Sequence, residues 1–453
     1  MPDSGEVLHP PTTIAEAAEE DPIGSRYVEL VARAHERYGD RAYIVDYPPP
    51  GTFAPEIIHP RLAPDLASSG SVEQLRLQLK ILEDQIPPSG ERGRALMMRV
   101  RGLGALIDSI ENPNHIQPSD VAKIAYGFDP KELPKMTTAE HEQYSQEVLH
   151  EIPPELRPTH PTPKSINEAR ILLTNSLRVH SLAEGDDLTR ETFFKTAAGL
   201  LRDQARAVGL LLPESEIKAV LTANESADFF LLFNPEHPVT YAFVNKKPEL
   251  HPLPAQVASL LAHEDGHLIH LRRMFDNAIR QGRTEDAIFP LGPQAVSEGI
   301  ADATVRILFP DAESFYATAV ALYQLTGNAV NEAHLKHVCE TTYGAPDDPK
   351  RLTLGERIDW EAYLRHEQDT LQYGQDEADK RFITDYQKSR FTNRDFAERR
   401  LKIVKYYGPY VYVGAFYRAW VARQLDGVED KAGKLLELCD TLPTAVGSVK
   451  DYV

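Results

Sequence analysis

The strongest structural signal in this 453-residue chain lies in one stretch, Leu260-Leu261-Ala262-His263-Glu264-Asp265-Gly266-His267-Leu268-Ile269-His270. The run that leads into it, residues 257–262, is apolar enough to predict a buried helix. On such a helix, His263 and His267 lie one turn apart on the same face and present two imidazoles to one cation. Glu264 is adjacent to them, where its carboxylate can deprotonate a water molecule that the cation activates.

A third ligand for that cation is available on a second apolar segment, residues 294–305. A catalytic zinc site needs three protein ligands and an open fourth position. Glu298 and Asp302 are one turn apart in this segment and share a face. We therefore predict one Zn²⁺ per chain, bound by His263, His267 and Glu298. Asp302 would accept a hydrogen bond from one of the ligand imidazoles and so fix its orientation.

Two alternatives to this metal site stay open at the level of the sequence. Glu298 and Asp302 can form a solvated acidic face without a metal, although their apolar neighbours would make unpaired carboxylates costly. Residues 332–337, Glu-Ala-His-Leu-Lys-His, also contain possible metal ligands. Their mixed charge and the lack of an apolar run before them favour a solvated helix face instead.

These residues resemble the mainly helical glutamate-type zinc peptidases, the gluzincins, which include thimet oligopeptidase, oligopeptidase F, angiotensin-converting enzyme and carboxypeptidase Taq. The shared motifs are His-Glu-x-Gly-His, here residues 263–267, and Glu-x-x-x-Asp, here residues 298–302. The resemblance covers about residues 239–310 and a C-terminal patch at residues 405–420. It implies a zinc metallopeptidase, a hydrolase in which Glu264 is the general base.

The C-terminal patch contains two tyrosines to which the resemblance gives a catalytic role. In the oligopeptidases, a Gly-Gly-Tyr sequence is followed two turns later by a second tyrosine, and these hydroxyls stabilise the oxyanion. Tyr410 and Tyr417 match these positions and would share one face of a helix that begins at Gly408-Pro409. Pro409 replaces the second glycine, and Lys405 stands where the oligopeptidases have a histidine. The alternative is an aromatic core helix in which the tyrosines only pack.

Two further residues are predicted to contact the substrate. His270 follows His267 by one turn and would line the cleft, unless it is an ordinary buried or rim histidine. Tyr241 lies in a predicted strand, residues 239–244, and in the family such a strand flanks the cleft. A strand edge can pair with an extended peptide. The alternative for residues 239–244 is a small structural hairpin.

Segments with helical periodicity, separated by prolines, predict a mainly α fold with two helical lobes around a zinc cleft. The predicted domains are an N-terminal arm at residues 1–24, an N-terminal helical lobe at 25–164 and a catalytic helical domain at 165–453. Two strand predictions, residues 229–233 and 239–244, place a small β-sheet next to the HExxH helix.

Local sequence patterns predict several helix starts and one lobe boundary. The sequences Ser71-Val72-Glu73-Gln74, Thr137-Thr138-Ala139-Glu140 and Ser165-Ile166-Asn167-Glu168 each have a capping residue followed three positions later by Glu or Gln. Five prolines between Pro153 and Pro163 predict a rigid connector, which marks the boundary between the lobes.

Composition and charge exclude several classes of partner. The net charge is −19 and the isoelectric point is about 5.3, without a basic run, which argues against nucleic acid and anionic membranes. No apolar stretch approaches the roughly 20 residues of a membrane span, and no secretory signal is visible. Two cysteines cannot build a disulfide scaffold. We therefore predict a cytoplasmic protein.

The sequence thus predicts a cytoplasmic zinc metallopeptidase that hydrolyses small peptides, or a small amide, bound in its cleft. One alternative is a non-peptidase zinc hydrolase or lyase on the same scaffold, because a fold does not determine a function. The other alternative is a catalytically inactive binding protein. Glu264 argues against it, because a site that only binds has no need of a general base.

Overall fold

The computed structural model describes residues 19–39, 71–177, 187–210, 216–222, 229–234, 239–245, 253–286, 293–326, 330–343, 348–441 and 446–453. Most of the predicted N-terminal arm, residues 1–24, lies outside these ranges. Within them the chain is mainly helical, which confirms the prediction of a mainly α fold. No helix among the described residues is long and apolar enough to cross a membrane.

The α-helices are numbered here in chain order. The first seven precede the strands: α1 (Pro22–Tyr38), α2 (Val72–Gln85), α3 (Glu91–Glu111), α4 (Pro118–Tyr126), α5 (Thr138–His150), α6 (Pro163–Leu177) and α7 (Asp187–Ala207). The others follow the strands: α8 (Pro254–Gln281), α9 (Pro293–Leu308), α10 (Ala312–Leu325), α11 (Glu332–Tyr343), α12 (Leu354–Tyr373), α13 (Gln375–Ser389), α14 (Arg394–Tyr407), α15 (Val413–Gln424) and α16 (Lys431–Cys439). A 3₁₀ turn, Gly408–Tyr412, joins α14 to α15.

Two of the predicted capping boxes start their helices as expected. At the start of α2, the Ser71 hydroxyl accepts from the Gln74 backbone N–H at 3.2 Å, and the Gln74 side chain accepts in return at 2.9 Å. Thr137 and Glu140 make the same reciprocal pair before α5. Both boxes satisfy backbone N–H groups that a helix start leaves without partners.

The third predicted start, with Ser165 as the capping residue, is wrong by three residues. Helix α6 begins at Pro163, because proline is well tolerated in the first turn, where its missing N–H is not needed. The Thr162 hydroxyl accepts from the Ser165 backbone N–H at 3.1 Å. Thr162 therefore does the capping that the sequence pattern had assigned to Ser165.

A three-stranded sheet precedes α8, with strands β1 (Glu216–Thr222), β2 (Phe229–Asn234) and β3 (Val239–Asn245). The strand order is β1-β3-β2; β1 runs parallel to β3 and β2 antiparallel to it. The sequence did not predict β1. Its charged residues, Glu216 and Lys218, and its central alanine give it weaker strand propensity than the aromatic and β-branched residues of the other two strands.

One hydrophobic core includes buried side chains on both sides of the predicted boundary between the lobes, among them Tyr27, Leu103, Ile300 and Phe416. A smaller cluster, which includes Tyr144 and Ile166, also combines residues from before and after the proline-rich connector. The division of the chain at residue 164 stays a prediction.

Two glycines allow the site-bearing helices to approach each other closely. A Cβ added to Gly266 on α8 would lie 2.5 Å from the Ala301 Cα of α9. A Cβ added to Gly299 on α9 would collide with the Tyr417 carbonyl of α15. Helix α9 is therefore held between α8 and α15 at distances that only glycine permits, and this packing fixes where Glu298 lies.

Candidate metal centre

Three side chains from α8 and α9 converge on one point. Every pair of donor atoms from His263, His267 and Glu298 lies within 4.8 Å. The two histidine Nε2 atoms are 3.1 Å apart. The Glu298 carboxylate places Oε2 at 3.5 Å from His263 Nε2 and Oε1 at 3.9 Å from His267 Nε2. Among the described residues, this is the one group of three that could hold a metal ion.

The spacing of these donors fits a tetrahedral zinc site. Zinc binds imidazole nitrogen and carboxylate oxygen at about 2.0–2.2 Å, so that two donors of a tetrahedron lie about 3.3–3.6 Å apart. The two nitrogens are 3.1 Å apart, and the carboxylate approaches them at 3.5 and 3.9 Å through different oxygens, near that range. Two imidazoles and one carboxylate are also a donor set found in catalytic zinc sites with an open fourth position.

Each imidazole is oriented by a second hydrogen bond. His263 Nδ1 lies 2.9 Å from Asp302 Oδ1, and His267 Nδ1 lies 2.7 Å from Ser297 Oγ. A carboxylate can only accept, so His263 donates from Nδ1, and Nε2 is the nitrogen that faces the cluster. The sequence had predicted the contact with Asp302. It gave no signal for Ser297, because a serine beside a glutamate is common in any helix.

Burial and charge set the protonation states in the cluster. Burial opposes a charged His263, but its hydrogen bonds to Asp302 and Glu298 outweigh burial and raise its pKa well above the usual range. Burial lowers the pKa of His267 to about 4. Burial would raise the pKa of Glu298, but the charges and hydrogen bonds of the two histidines outweigh it and lower that pKa to about 2. The cluster thus holds an ionised carboxylate and a neutral His267, as metal ligands require, whereas His263 must release a proton before it binds a cation.

Glu264 follows His263 on α8, and its side chain is partly exposed. Glu264 is adjacent to His263 in the chain but is not one of the three converging donors. That placement suits a proton acceptor more than a ligand.

Tyr410 makes a direct contact with the cluster. Its hydroxyl donates to Glu298 Oε1 at 2.5 Å from the 3₁₀ turn between α14 and α15. The hydrogen bond helps to keep the Glu298 carboxylate ionised. The sequence had selected this tyrosine from a resemblance in spacing, but it had not predicted the contact with the third ligand.

Tyr417 does not share this position, and the prediction of one common helix face is wrong. Residues 408–412 form a 3₁₀ turn, and the α-helix begins only at Val413, so Tyr410 and Tyr417 do not follow one continuous helical period. Tyr417 is fully buried and packs against Phe128, and its hydroxyl donates to the Tyr126 carbonyl at 3.0 Å. It is a core residue, as the alternative interpretation of the aromatic patch held.

The two predicted substrate contacts are also corrected. His270 is only 1% exposed, and burial lowers its pKa to about 3, so it is a neutral core histidine and not part of a cleft wall. Tyr241 lies at the middle of β3, the central strand, where its backbone is in register with Lys218 on one side and Leu232 on the other. A strand paired on both sides has no free edge for a peptide. The Tyr241 side chain lies outside the described part of the structure.

The rival cluster at residues 332–337 does not assemble a metal site. His334 is held between the Ser176 hydroxyl at 2.7 Å and the Glu155 carboxylate at 2.9 Å. His337 instead contacts the His150 carbonyl through Nε2 at 3.0 Å. Both histidines are therefore structural contacts between α11 and the segment around α5 and α6.

A cavity of about 320 Å³ reaches the metal cluster at Glu298 and Tyr410. Its wall is built from α12, α14, the 3₁₀ turn and α15, and includes the aromatic side chains of Tyr363 and Tyr407. A concave, partly aromatic site beside a cluster of convergent polar groups is the usual form of a small-ligand pocket.

Comparisons with known proteins do not assign this chain to a family. No family model matches its sequence, no curated protein matches it, and no solved structure matches its fold. The resemblance to the gluzincins therefore rests on residues of α8, α9 and the turn that carries Tyr410.

The hydrogen bond between Asp302 and His263 gives a first testable prediction. Asp302→Asn should weaken zinc affinity by roughly 10–100-fold, because the amide no longer fixes the imidazole or supports its basicity. Competition with a chromophoric chelator measures this affinity. Asp276→Asn is the matched control, since Asp276 also lies on a site-bearing helix, where it pairs with Arg272 and Arg280 instead of a ligand. Equal affinities for the two variants would contradict the role given to Asp302.

Proposed function

We propose that this protein is a zinc-dependent metallopeptidase of the gluzincin type, which hydrolyses small peptides in a cleft between helical lobes. The observation that carries the proposal is the convergence of His263, His267 and Glu298 at separations that suit zinc. Asp302 and Ser297 add support, because each orients one of the imidazoles. Structural contacts alone would not require two imidazoles to face each other through Nε2 at 3.1 Å.

The chemistry follows from the groups around the cluster. Zinc, when bound, supplies a Lewis acid that polarises the scissile carbonyl and makes a water molecule acidic at neutral pH. Glu264 accepts the proton of the attacking water and then delivers it to the leaving amine. Tyr410 lines the cavity beside Glu298 and has one O–H, which donates to Glu298 Oε1. To support the oxyanion that develops on the substrate, this hydroxyl would turn from Glu298 toward it.

The activity is tested with a library of short peptides. Purified protein should cleave members of the library, lose that activity in the presence of a chelator, and recover it when zinc is added back. The proposal fails if zinc-loaded protein cleaves no peptide. Cleavage that continues unchanged after complete removal of the metal would contradict it as well.

A second candidate function is hydrolysis of a small amide that is not a peptide. The size of the cavity favours it, because about 320 Å³ is at the lower end of the range for small-ligand pockets. A panel of N-acyl amino acids and simple amides, assayed beside the peptides, separates the two. A third alternative, a binding protein without turnover, predicts zinc uptake but no hydrolysis of either panel.

We further infer a cytoplasmic protein whose partners are small substrates and not nucleic acids or membranes. The support is the net charge of −19, which repels phosphate backbones and anionic lipid surfaces. Fractionation of cells followed by detection of the native protein tests this location.

Substitution of the two tyrosines should have opposite effects on activity and stability. Tyr410→Phe should lower kcat by roughly 10–100-fold, because it removes the one hydroxyl that holds the Glu298 ligand and can turn toward the oxyanion. Tyr417→Phe should leave kcat near the wild-type value but lower the free energy of unfolding by about 1–3 kcal/mol, because the buried Tyr126 carbonyl loses its donor. Steady-state kinetics and denaturant unfolding measure the two effects. A loss of kcat in Tyr417→Phe alone would reverse these assignments.

A further inference from the structure

Arg400 lies in the wall of the cavity that reaches the metal cluster. Its side chain, on α14, is 30% exposed. The guanidinium Nε donates to the Tyr363 hydroxyl at 2.6 Å, and Nη2 lies 3.6 Å from Asp359 Oδ2. The guanidinium also lies over the Tyr363 ring, 5.4 Å from its centroid. These contacts hold the side chain in place. They involve two of its three nitrogen atoms, Nε and Nη2, and the guanidinium carries five N–H donors in all.

The carboxylates that line the cavity do not neutralise this arginine. Asp359 also pairs with Arg390, whose Nε lies 3.1 Å from Oδ1, closer than Arg400 comes to the same side chain. Glu356 is held by Arg418 through two contacts of 3.1 and 2.6 Å. The remaining acid in the wall, Glu298, belongs to the metal cluster. The end of the cavity at Arg400 thus keeps an excess of positive charge.

We propose that Arg400 binds a carboxylate group of the substrate while the scissile bond lies at the metal cluster. The inference rests on the proposed hydrolase function and adds the class of substrate. A held guanidinium presents parallel N–H groups that match the two oxygens of a carboxylate. The cavity has room for only a few residues, so the carboxylate belongs close to the bond that is cut.

The same carboxylate chemistry has two possible sources, the C-terminal α-carboxylate and an acidic side chain. Three acetylated dipeptides distinguish them: acetyl-alanyl-phenylalanine, its C-terminal amide, and acetyl-alanyl-glutamate with an amidated C-terminus. We expect wild-type protein to prefer one carboxylate-bearing peptide over the neutral amide by roughly 100-fold in kcat/KM, as expected when one charge of a desolvated pair is removed. The preferred peptide identifies the source.

Arg400→Met should bring that preference close to 1 by lowering kcat/KM for the preferred carboxylate peptide. Arg400→Lys should retain part of the preference, because it keeps the charge but not the planar fork. Arg394→Met is the matched control, since this arginine of the same helix is 72% exposed and pairs with Glu398. Its preference should equal that of wild type. Circular dichroism checks the fold; if Arg400→Met does not fold, wild type and Arg400→Lys carry the test.

Calorimetric binding of the same peptides to Glu264→Gln separates this inference from the proposed function. If no peptide is cleaved but a carboxylate peptide binds more tightly and loses that advantage in the Glu264→Gln/Arg400→Met double variant, hydrolysis fails and the role of Arg400 stands. If peptides are cleaved with no preference for a carboxylate, hydrolysis stands and the role of Arg400 is overturned. A preference that survives in Arg400→Met also overturns it.

Discussion

Glu264→Gln should lower kcat by roughly 10³-fold or more while the protein keeps its zinc. An amide cannot accept the proton of the attacking water, and general-base catalysis contributes about 10²–10⁴-fold to a rate. The three donors that converge on the metal position are those of His263, His267 and Glu298, so metal affinity should not change. Single-turnover kinetics on a confirmed substrate, with zinc measured in the same sample, checks both parts of the prediction.

Glu340→Gln is the matched control for this variant. The Glu340 side chain is 57% exposed, and its nearest cationic partner is Lys336 on the same helix, at 3.9 Å. This substitution removes one negative charge from the chain, as Glu264→Gln does, but far from any donor of the cluster. Full activity in Glu264→Gln, or loss of zinc from it, would show that Glu264 is not the base.

The second large effect is expected from the metal ligands themselves. His263→Ala and Glu298→Ala should each lower zinc affinity by more than the roughly 10–100-fold predicted for an orienting residue such as Asp302. Each variant removes a donor, and Glu298→Ala also removes the negative charge that balances the cation. Competition titration with a chelator of known affinity measures the loss, and activity should fall in parallel.

His334→Ala provides the control for the histidine variants. His334 is more buried than His263, with side chains that are 10% and 24% exposed, and it also makes two side-chain hydrogen bonds. It lies in the cluster at residues 332–337, which does not converge on a metal. It should keep wild-type zinc affinity. If His334→Ala lost zinc and His263→Ala did not, the metal would lie at the other cluster.

The parts of the site that lie within one helical turn could be predicted from the sequence. His263 and His267 on α8, and Glu298 and Asp302 on α9, are pairs whose relative positions follow from the helical repeat alone. The encounter of the two helices was inferred from the need for a third ligand. What permits it is visible only in the structure, where Gly266 lets α8 approach α9.

The parts that could not be predicted depend on irregular or long-range structure. The separate positions of Tyr410 and Tyr417 result from a 3₁₀ turn, and nothing in the local pattern distinguishes that turn from the start of an α-helix. The position of β3 at the centre of the sheet depends on β1, which has a weak strand signal. The burial of His270 depends on packing around the whole of α8. Contacts of this kind are decided by tertiary packing and not by propensity.

The position of Arg400 in the cavity wall also could not be predicted from the sequence. Its sequence context, Glu398-Arg399-Arg400-Leu401, is typical of a solvated helix face, and nothing in it indicates a binding site. Only the structure brings α12, α14 and α15 around one cavity and places this arginine in the same wall as Glu298. A specificity residue on a separate helix has no spacing that relates it to the motif.

The central claim is that His263, His267 and Glu298 form a site for one zinc ion. Elemental analysis by plasma mass spectrometry, on protein purified without chelators and again after chelation and reloading, tests it most directly. We expect about one zinc per chain in both samples and a marked loss of zinc in His263→Ala. Purified protein that contains no tightly bound divalent metal and takes up none when zinc is added would contradict it.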